Sequence, residues 1–497
     1  MLQFLKFFGF ILFILLISSS CKKDKFITDP SARLEFSQDS VLFDTVFTTI
    51  GSSTQNIRVR NKNDQKIKIS SIVLQGGAQS AFIINVDGSP GTSFKDIELA
   101  ANDSMYIFIQ VNVNPTNQNS PLIITDKLVF TVNGNTQELP LEAWGQDAYY
   151  HYPTDAIKFK DGSYFPYSTV GPSETGTVVT WPNDKPHVIY GYLVADSAQT
   201  LIIKAGTRIY MNYKAGIWVF RKGEIQILGQ KGNEVIIQGA RREADYADEP
   251  GQWDRIWINE GSVNNVIDYA IIKNGYIGVQ AELFASDFSN TINPRRLKLT
   301  NTRIQNMSLW GLYAVAFNIY GGNNVISNCQ EHSVNLSLGG KYTFLHCTFS
   351  NFWSKGKVRE QSTVRVNNYY EQTVLPLDSC YFGNCIIDGQ LSNELTVDVK
   401  NAATYTANPF FSNCWIRSNA DLSDASRYLE IRKSDSPLEY EDIAAYNFET
   451  KPDEIRIKGF TQAKSISDAG KFPIDIKGNS RNASISSGSI TVGAYEK

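Results

Sequence analysis

In LIIKAGTRIYMNYKAGIWVFRKGEIQILGQKGNEVIIQG, residues 201–239, apolar residues come in pairs with one residue between them. The pairs are Leu201/Ile203, Ile209/Met211, Ile217/Val219, Ile225/Ile227 and Val235/Ile237. The first four begin eight residues apart, the fifth ten. Side chains on a strand alternate between its two faces, so each pair marks a strand three or four residues long with one face buried. Turn residues lie between the pairs: Ala205-Gly206, Lys214-Ala215-Gly216, Lys222-Gly223, Gly229 and Gly232. A hairpin meander would want longer strands and two-residue Asn-Gly or Asp-Gly turns, and the stretch has neither. Three short strands per turn, about 24 residues, predict a solenoid whose coils stack at roughly 4.8 Å.

Further along, a second signature returns: IDYAIIKN (267–274), LTNTRIQN (299–306), VISNC (325–329), FLHCTFSN (344–351), FGNCIIDG (382–389) and FSNCWIRS (411–418). It places a small or sulfur residue at 270, 302, 329, 347, 385 and 414, at intervals of 18 to 38 residues, so the coils carry loops of different length. Such a column suits a narrow solenoid interior, with the neighbouring Asn side chains bonding turn backbones. Five cysteines follow residue 21: Cys329, Cys347, Cys380, Cys385 and Cys414. Their number is odd, so at least one stays unpaired within the chain. Parallel side-chain directions misalign stacked sulfurs, which favours a buried reduced ladder over a bridge, and the sequence leaves open whether any two are joined. Without a CxxC, a zinc site is not expected.

The pattern resembles the right-handed parallel β-helix of the pectin-lyase-like superfamily, and especially the β-helix lipoproteins of Bacteroidota. The resemblance rests on Leu201–Ile209, on PGQWDRI (250–256), and on a tail with SISDAG (465–470), Pro473-Ile474-Asp475, Gly478, Arg481 and GAYE (493–496). It implies a β-helix over 166–497 whose last residues form a closing coil.

Upstream, short alternating runs repeat over residues 34–146: Ile57–Val59, Ile67–Ile69, Ile107–Val111 and Leu128–Val132. Polar turns such as Asn61-Lys62-Asn63-Asp64 and Asn133-Gly134-Asn135 separate them, which predicts a two-sheet sandwich. With AANDS (100–104) before YIFI (106–109) and the closing LPLEAWG (139–145), it is similar to immunoglobulin-like domains of the abnormal-spindle/hydin type, commonly spacers or docking modules. Residues 147–165, aromatic and irregular, read as a packed linker. The expected fold class is all-β: an N-terminal β-sandwich followed by a right-handed parallel β-helix.

The first 20 residues carry Lys6, an apolar run from Phe7 to Ile17 and three serines before Cys21. At about 1.5 Å per residue this run is short for a membrane span, and it reads as a cleaved export signal. Leu16 to Cys21 resembles the lipobox of bacterial lipoproteins, which implies acylation of Cys21. Each buried methylene contributes about 0.8 kcal/mol, so two or three chains anchor stably. Residues 21–33 read as a charged tether. Lys22-Lys23-Asp24-Lys25 loosely resembles the charged surface-export signal of Bacteroidota lipoproteins, with one acid where that pattern has two. The expected location is the outer membrane, lipid-anchored, at the cell surface rather than the periplasmic face.

A net charge of −3 and the lack of any long basic stretch argue against nucleic acid as a partner. The four histidines show no metal-ligand spacing. Galacturonan hydrolases of the resembled fold carry Asp-Asp and Gly-His-Gly motifs; this chain has neither, and Arg456-Ile457-Lys458 reads as part of an alternating strand. Glu243, Asp245, Asp248 and Glu249 crowd one loop before Trp253 and offer oxygen ligands to a hard cation such as Ca²⁺, although Arg241 and Arg242 dilute that field and a solvated loop is the simpler reading. The longest interval of the column holds a basic and aromatic insertion: Trp353, Lys355, Lys357, Arg359, Arg365, Tyr369 and Tyr370. There cations would clamp acidic sugars and rings would stack on them, with Lys355 or Arg359 as the proton-abstracting base of a lyase. The simpler reading of this insertion is a long solvated loop. The expectation is a surface module binding polysaccharide or an envelope partner; the alternative is a polysaccharide lyase or glycosidase acting on an anionic polysaccharide.

Overall fold

A computed structural model describes residues 25–48, 51–115, 122–172, 174–196, 198–220, 222–259, 261–283, 297–402 and 407–497. The expected signal and the lipidation site Cys21 lie outside the described residues. The chain divides into two compact units, one ending at Asp147 and the other running from Ala148 to Lys497.

The first unit is an immunoglobulin-like β-sandwich of two five-stranded sheets. One sheet holds Gln55–Arg60 between Glu35–Phe36 and Ser104–Val111; the other holds Asn135–Gln146 between Val41–Phe47, in parallel, and Leu122–Val132, in antiparallel. The alternation read from the sequence is the packing itself: Ile57, Val59, Ile67, Ile69, Ile107, Ile109, Leu128 and Phe130 are all fully buried between the sheets. Asn61 ties two turns together, its Nδ2 donating to the carbonyls of Gln65 and Ala100, both at 2.8 Å. Residues 26–33 are not a free tether. Phe26 bridges to Lys66, Asn133 donates to the carbonyls of Ile27 and Asp29, and Ala32 is buried in the sandwich core.

The second unit is a parallel β-helix. An eleven-stranded and an eighteen-stranded sheet, the latter bent so that most coils contribute two strands to it, enclose one apolar core. Leu201 pairs with Ile225 and Ile203 with Ile227, in parallel and 24 residues apart, so the paired apolar residues stack coil on coil. Phe344, Phe382, Phe411 and Tyr428 extend this into an aromatic stack, with centroid separations of 5.2, 4.8 and 5.6 Å. Two strands are much longer than the expected three or four residues: Trp310–Gly322 and Val334–Leu345. Here the two strands of a coil run together, and the corner is turned by left-handed residues, Ala316 in one and Leu338 to Gly340 in the other.

The stretch 147–165, read as a linker, belongs to the solenoid instead. Tyr149–His151 pairs in parallel with His187–Ile189, and Asp155–Lys158 forms a hairpin with Tyr164–Thr169. The column also needs one correction. Register places Val325 beside Arg303 and Thr348, so Asn324, not Cys329, stands between Thr302 and Cys347. Asn324 does there what a hydroxyl or thiol does elsewhere: its Oδ1 accepts from the Thr302 amide at 3.1 Å, and its Nδ2 donates to the Leu299 carbonyl at 2.7 Å. Cys329 aligns with Met307 at the next corner. Directly before each column residue the backbone is left-handed, at Tyr269, Asn301, Asn323, His346, Asn384 and Asn413. Asparagine tolerates that conformation better than other non-glycine residues, which is why Asn recurs there.

The tail does not close the solenoid as a final coil. After Arg432–Ser434, the last strand of the eleven-stranded sheet, the chain folds back as a strap over that sheet's outer face. Leu438, Phe448, Ile457, Ile490 and Val492 pack on the outward side chains of Val325, Ile386 and Trp415. Polar pins hold it: the buried Arg481 donates to Asn323 Oδ1 at 3.0 Å, Ser465 donates to Asn384 Oδ1 at 2.6 Å, and the Gly493 amide donates to the Asn384 carbonyl at 2.8 Å. Arg456-Ile457-Lys458 belongs to this strap, as a 3-10 turn in which Arg456 pairs with Glu454, and not to an alternating strand.

Candidate functional site

In Ile217-Trp218-Val219 and Ile256-Trp257-Ile258 the flanking residues point into the core, so the tryptophans between them must point out. The same triplet recurs on five further coils with Gln280, Tyr313, Asn335, Arg365 and Thr396 at its centre. Parallel register places these seven side chains in one outward row along the eighteen-stranded sheet. Two residues further along each strand, a second row carries Phe220, Asn259, Glu282, Val315, Ser337, Asn367 and Asp398, five polar side chains and two apolar ones.

The two rows hold each other. Trp218 Nε1 donates to Asn259 Oδ1 at 3.0 Å, and Trp257 Nε1 to Glu282 Oε1 at 2.7 Å. Gln280 Nε2 donates to Glu282 Oε2 at 2.8 Å, and the side-chain Oε1 of Gln280 accepts from Arg255 Nη1. The Trp218 and Trp257 rings stack at 5.0 Å with an interplanar angle of 14°, so they cover one another's faces and turn their edges outward. Trp310 packs on Tyr313 at 4.3 Å while its indole nitrogen donates to Glu331 at 2.9 Å. Burial pushes the Tyr313 hydroxyl up, Glu282 adding to the shift and Arg365 opposing it. The Arg365 backbone sits in the ladder between Asn335 and Thr396, but its guanidinium makes no hydrogen bond or ion pair among the described residues. Its guanidinium is a cation held half-buried on a polar and aromatic strip, and five donors in a fixed fork suit it to a carboxylate.

The insertion at 353–370 does not gather into the expected cluster. Arg359 is fully buried in an ion pair with Glu394, so it is neither a clamp nor a base. Its Nη2 also donates to the Asn351 carbonyl at 2.9 Å, and Glu394 Oε2 accepts from the Thr363 amide at 2.9 Å. Trp353 is buried and donates to the Lys357 carbonyl at 3.1 Å, and Lys355 reaches the backbone carbonyl of Asp248. Lys357 and Tyr370 are exposed. Tyr369 donates to Asp398 Oδ2 at 2.8 Å beneath Lys400, whose ammonium sits 3.6 Å from the ring centroid. Of the expected sugar contacts, Arg365 joins the outward row and Tyr369 borders it through Asp398.

The acids before Trp253 do not converge either. Glu243 pairs with Arg241 at 3.0 Å, Arg241 lies over the Tyr246 ring, and Asp245 sits in a 3-10 turn. Among the described residues no group of three or more His, Cys, Asp or Glu is placed to hold a metal ion, which corrects the Ca²⁺ reading. The five cysteines are free and buried. Burial pushes the Cys329 thiol up to about 12, and Cys385, flanked by Cys347 and Cys414, is raised well above the ordinary thiol range.

No protein-family model matches the chain, and no curated protein matches it. Among solved structures, one similar chain is a protein of unknown function from Porphyromonas gingivalis, at 10% identity and a TM-score of 0.18, covering 25% of this chain and 50% of that one. A second is PapD-like domain 7 of human CEP192, at 13% identity and a TM-score of 0.17, covering 24% and 89%. A third is a family 123 glycoside hydrolase from Clostridium perfringens, at 8% and 0.16, covering 23% and 26%. The chain spans half the length of the first of these, and none of the likenesses bears on the site.

Proposed function

We propose that this protein is a polysaccharide-binding β-helix whose ligand lies along the outward rows of the eighteen-stranded sheet. One observation carries the reading: the seven-residue row from Trp218 to Thr396, in unbroken register, with a half-buried arginine within it whose guanidinium has no partner among the described residues. Asn259, Gln280, Asn335 and Asn367 are buried and brace the face, while the half-buried Trp218, Trp257, Tyr313, Arg365 and Thr396 remain to meet a ligand. An elongated, rigid face of this kind suits an extended polymer better than a compact ligand, and Arg365 suits an acidic one. Binding occurs without turnover of the polymer. The sandwich serves as a spacer, and acylation of Cys21 anchors the chain to the outer membrane with the solenoid at the cell surface, as in the β-helix lipoproteins of Bacteroidota with the pectin-lyase-like fold.

Affinity electrophoresis of the chain through gels containing pectate, alginate or a glycosaminoglycan tests this. Retardation by at least one acidic polymer is expected, reduced at least tenfold in affinity by Arg365→Ala or Trp257→Ala. Equal mobility in all gels, or retardation indifferent to both substitutions, contradicts it. Release of unsaturated or reducing ends from the same polymers would show an enzyme instead. For the anchor, metabolic labelling with palmitate should mark the wild-type chain and not Cys21→Ser.

A further inference from the structure

The strap described above seals the outer face of the eleven-stranded sheet only in part. Over the coils of Val325, Ile386 and Trp415 the contact is apolar and closed. Over the earlier coils it leaves a cleft of about 400 Å³, within the roughly 300–1,000 Å³ span of small-molecule sites. The floor is built by register. Ile236, Ile271 and Arg303 stand side by side on three adjacent strands, and Gln238, Lys273 and Gln305 form the row beside them. Tyr446, Asn447, Glu449, Lys477 and Tyr495 of the strap make the wall.

The charges do not cancel. Glu449, the acid of the lining, already accepts from Lys477 at 2.7 Å and from Lys497 at 3.0 Å. Lys273 has no ion pair among the described residues, and Arg303 faces the Tyr495 hydroxyl, not a carboxylate. Two cations therefore look into a partly enclosed space without an acid of their own, at a cost that a bound anion would offset. The isoleucine floor gives an inorganic anion nothing to contact, while a neutral sugar leaves both cations uncompensated. The amides of Gln238, Gln305 and Asn447 supply donors and acceptors of the kind that hydroxyl groups use. Burial raises the Tyr446 hydroxyl, and the nearby Asp248 and Glu249 add to the shift; those two acids disfavour a second negative charge at that end.

We infer that this cleft is a second binding site, separate from the long face, and that it takes a single uronate residue: one carboxylate, a ring of hydroxyls and an apolar C–H face. The residue is either a free monosaccharide or the end of a chain. Calorimetric titration of the full-length protein with galacturonate, a galacturonate trimer, glucose and sulfate tests it. Galacturonate should saturate one site, with glucose and sulfate at least tenfold weaker. Lys273→Met and Arg303→Met should each weaken it at least tenfold without altering the circular dichroism spectrum, and Lys273→Arg should restore it. Tighter binding of the monosaccharide than of the trimer identifies the free sugar, and the reverse identifies the chain end. No heat with either uronate, equal binding of glucose or sulfate, or binding that survives Lys273→Met overturns the assignment.

Discussion

Arg359 lies with its guanidinium against Glu394, both side chains fully buried, so a charge that looked available in the sequence is consumed in holding the insertion to its coil. Breaking such a pair leaves the partner charge buried and costs about 3–5 kcal/mol. Glu394→Ala should therefore lower the unfolding free energy of the β-helix by that amount in a urea titration, whereas Lys357→Ala, on an exposed side chain, should change it by less than about 0.5 kcal/mol. The thiols make a second test at this scale. Because all five are buried out of reach of solvent, native protein should react with none of Cys329, Cys347, Cys380, Cys385 and Cys414 at pH 8, and denatured protein with all five. Residue chemistry was the least legible level. A string such as WSKGKVR (353–359) shows charge and rings but not which of them a distant glutamate will take.

At the scale of elements, the short strands were legible because burial on one face leaves a period of two in the sequence. The same period contained the outward row. Once Ile217 and Val219 face in, Trp218 faces out, and Trp257 repeats it, so the signal for the candidate site lay in the residue between each pair. The column was displaced at one coil because Asn324 fills a place that sulfur or a hydroxyl fills elsewhere, and Cys329, a short step away, offered the more familiar residue type. The strap was hidden for a different reason: its 3-10 turns and helices of six and nine residues have no repeat, and only the outward side chains of other coils give it a partner. Asp388 sits beneath it, accepting from the Tyr440 hydroxyl at 2.7 Å, and burial raises its carboxyl to about 7. Between the ordinary value of 3.8 and about 7 the folded chain holds a proton there that the unfolded chain has lost. This group's contribution to stability is therefore full below about pH 4, falls as pH rises, and levels off above about pH 7. The difference in unfolding free energy between wild type and Asp388→Asn should change across that window; a constant difference contradicts the assignment.

For the molecule as a whole, stacking coils at one spacing turns a row of residues far apart in sequence into a continuous face. This is why fold was readable from the repeats while ligand chemistry was not: the repeats record what faces inward, and the outward positions are free to vary from coil to coil. The reading of function stands on that face binding an acidic polymer. Hydroxyl-radical footprinting of the chain with and without a long oligouronate tests it most directly. Reduced oxidation of Trp218, Trp257 and Tyr313 is expected in the complex, with exposed tyrosines elsewhere on the solenoid, such as Tyr213, unchanged. Unaltered oxidation along that row, or protection confined to other surfaces, would contradict it.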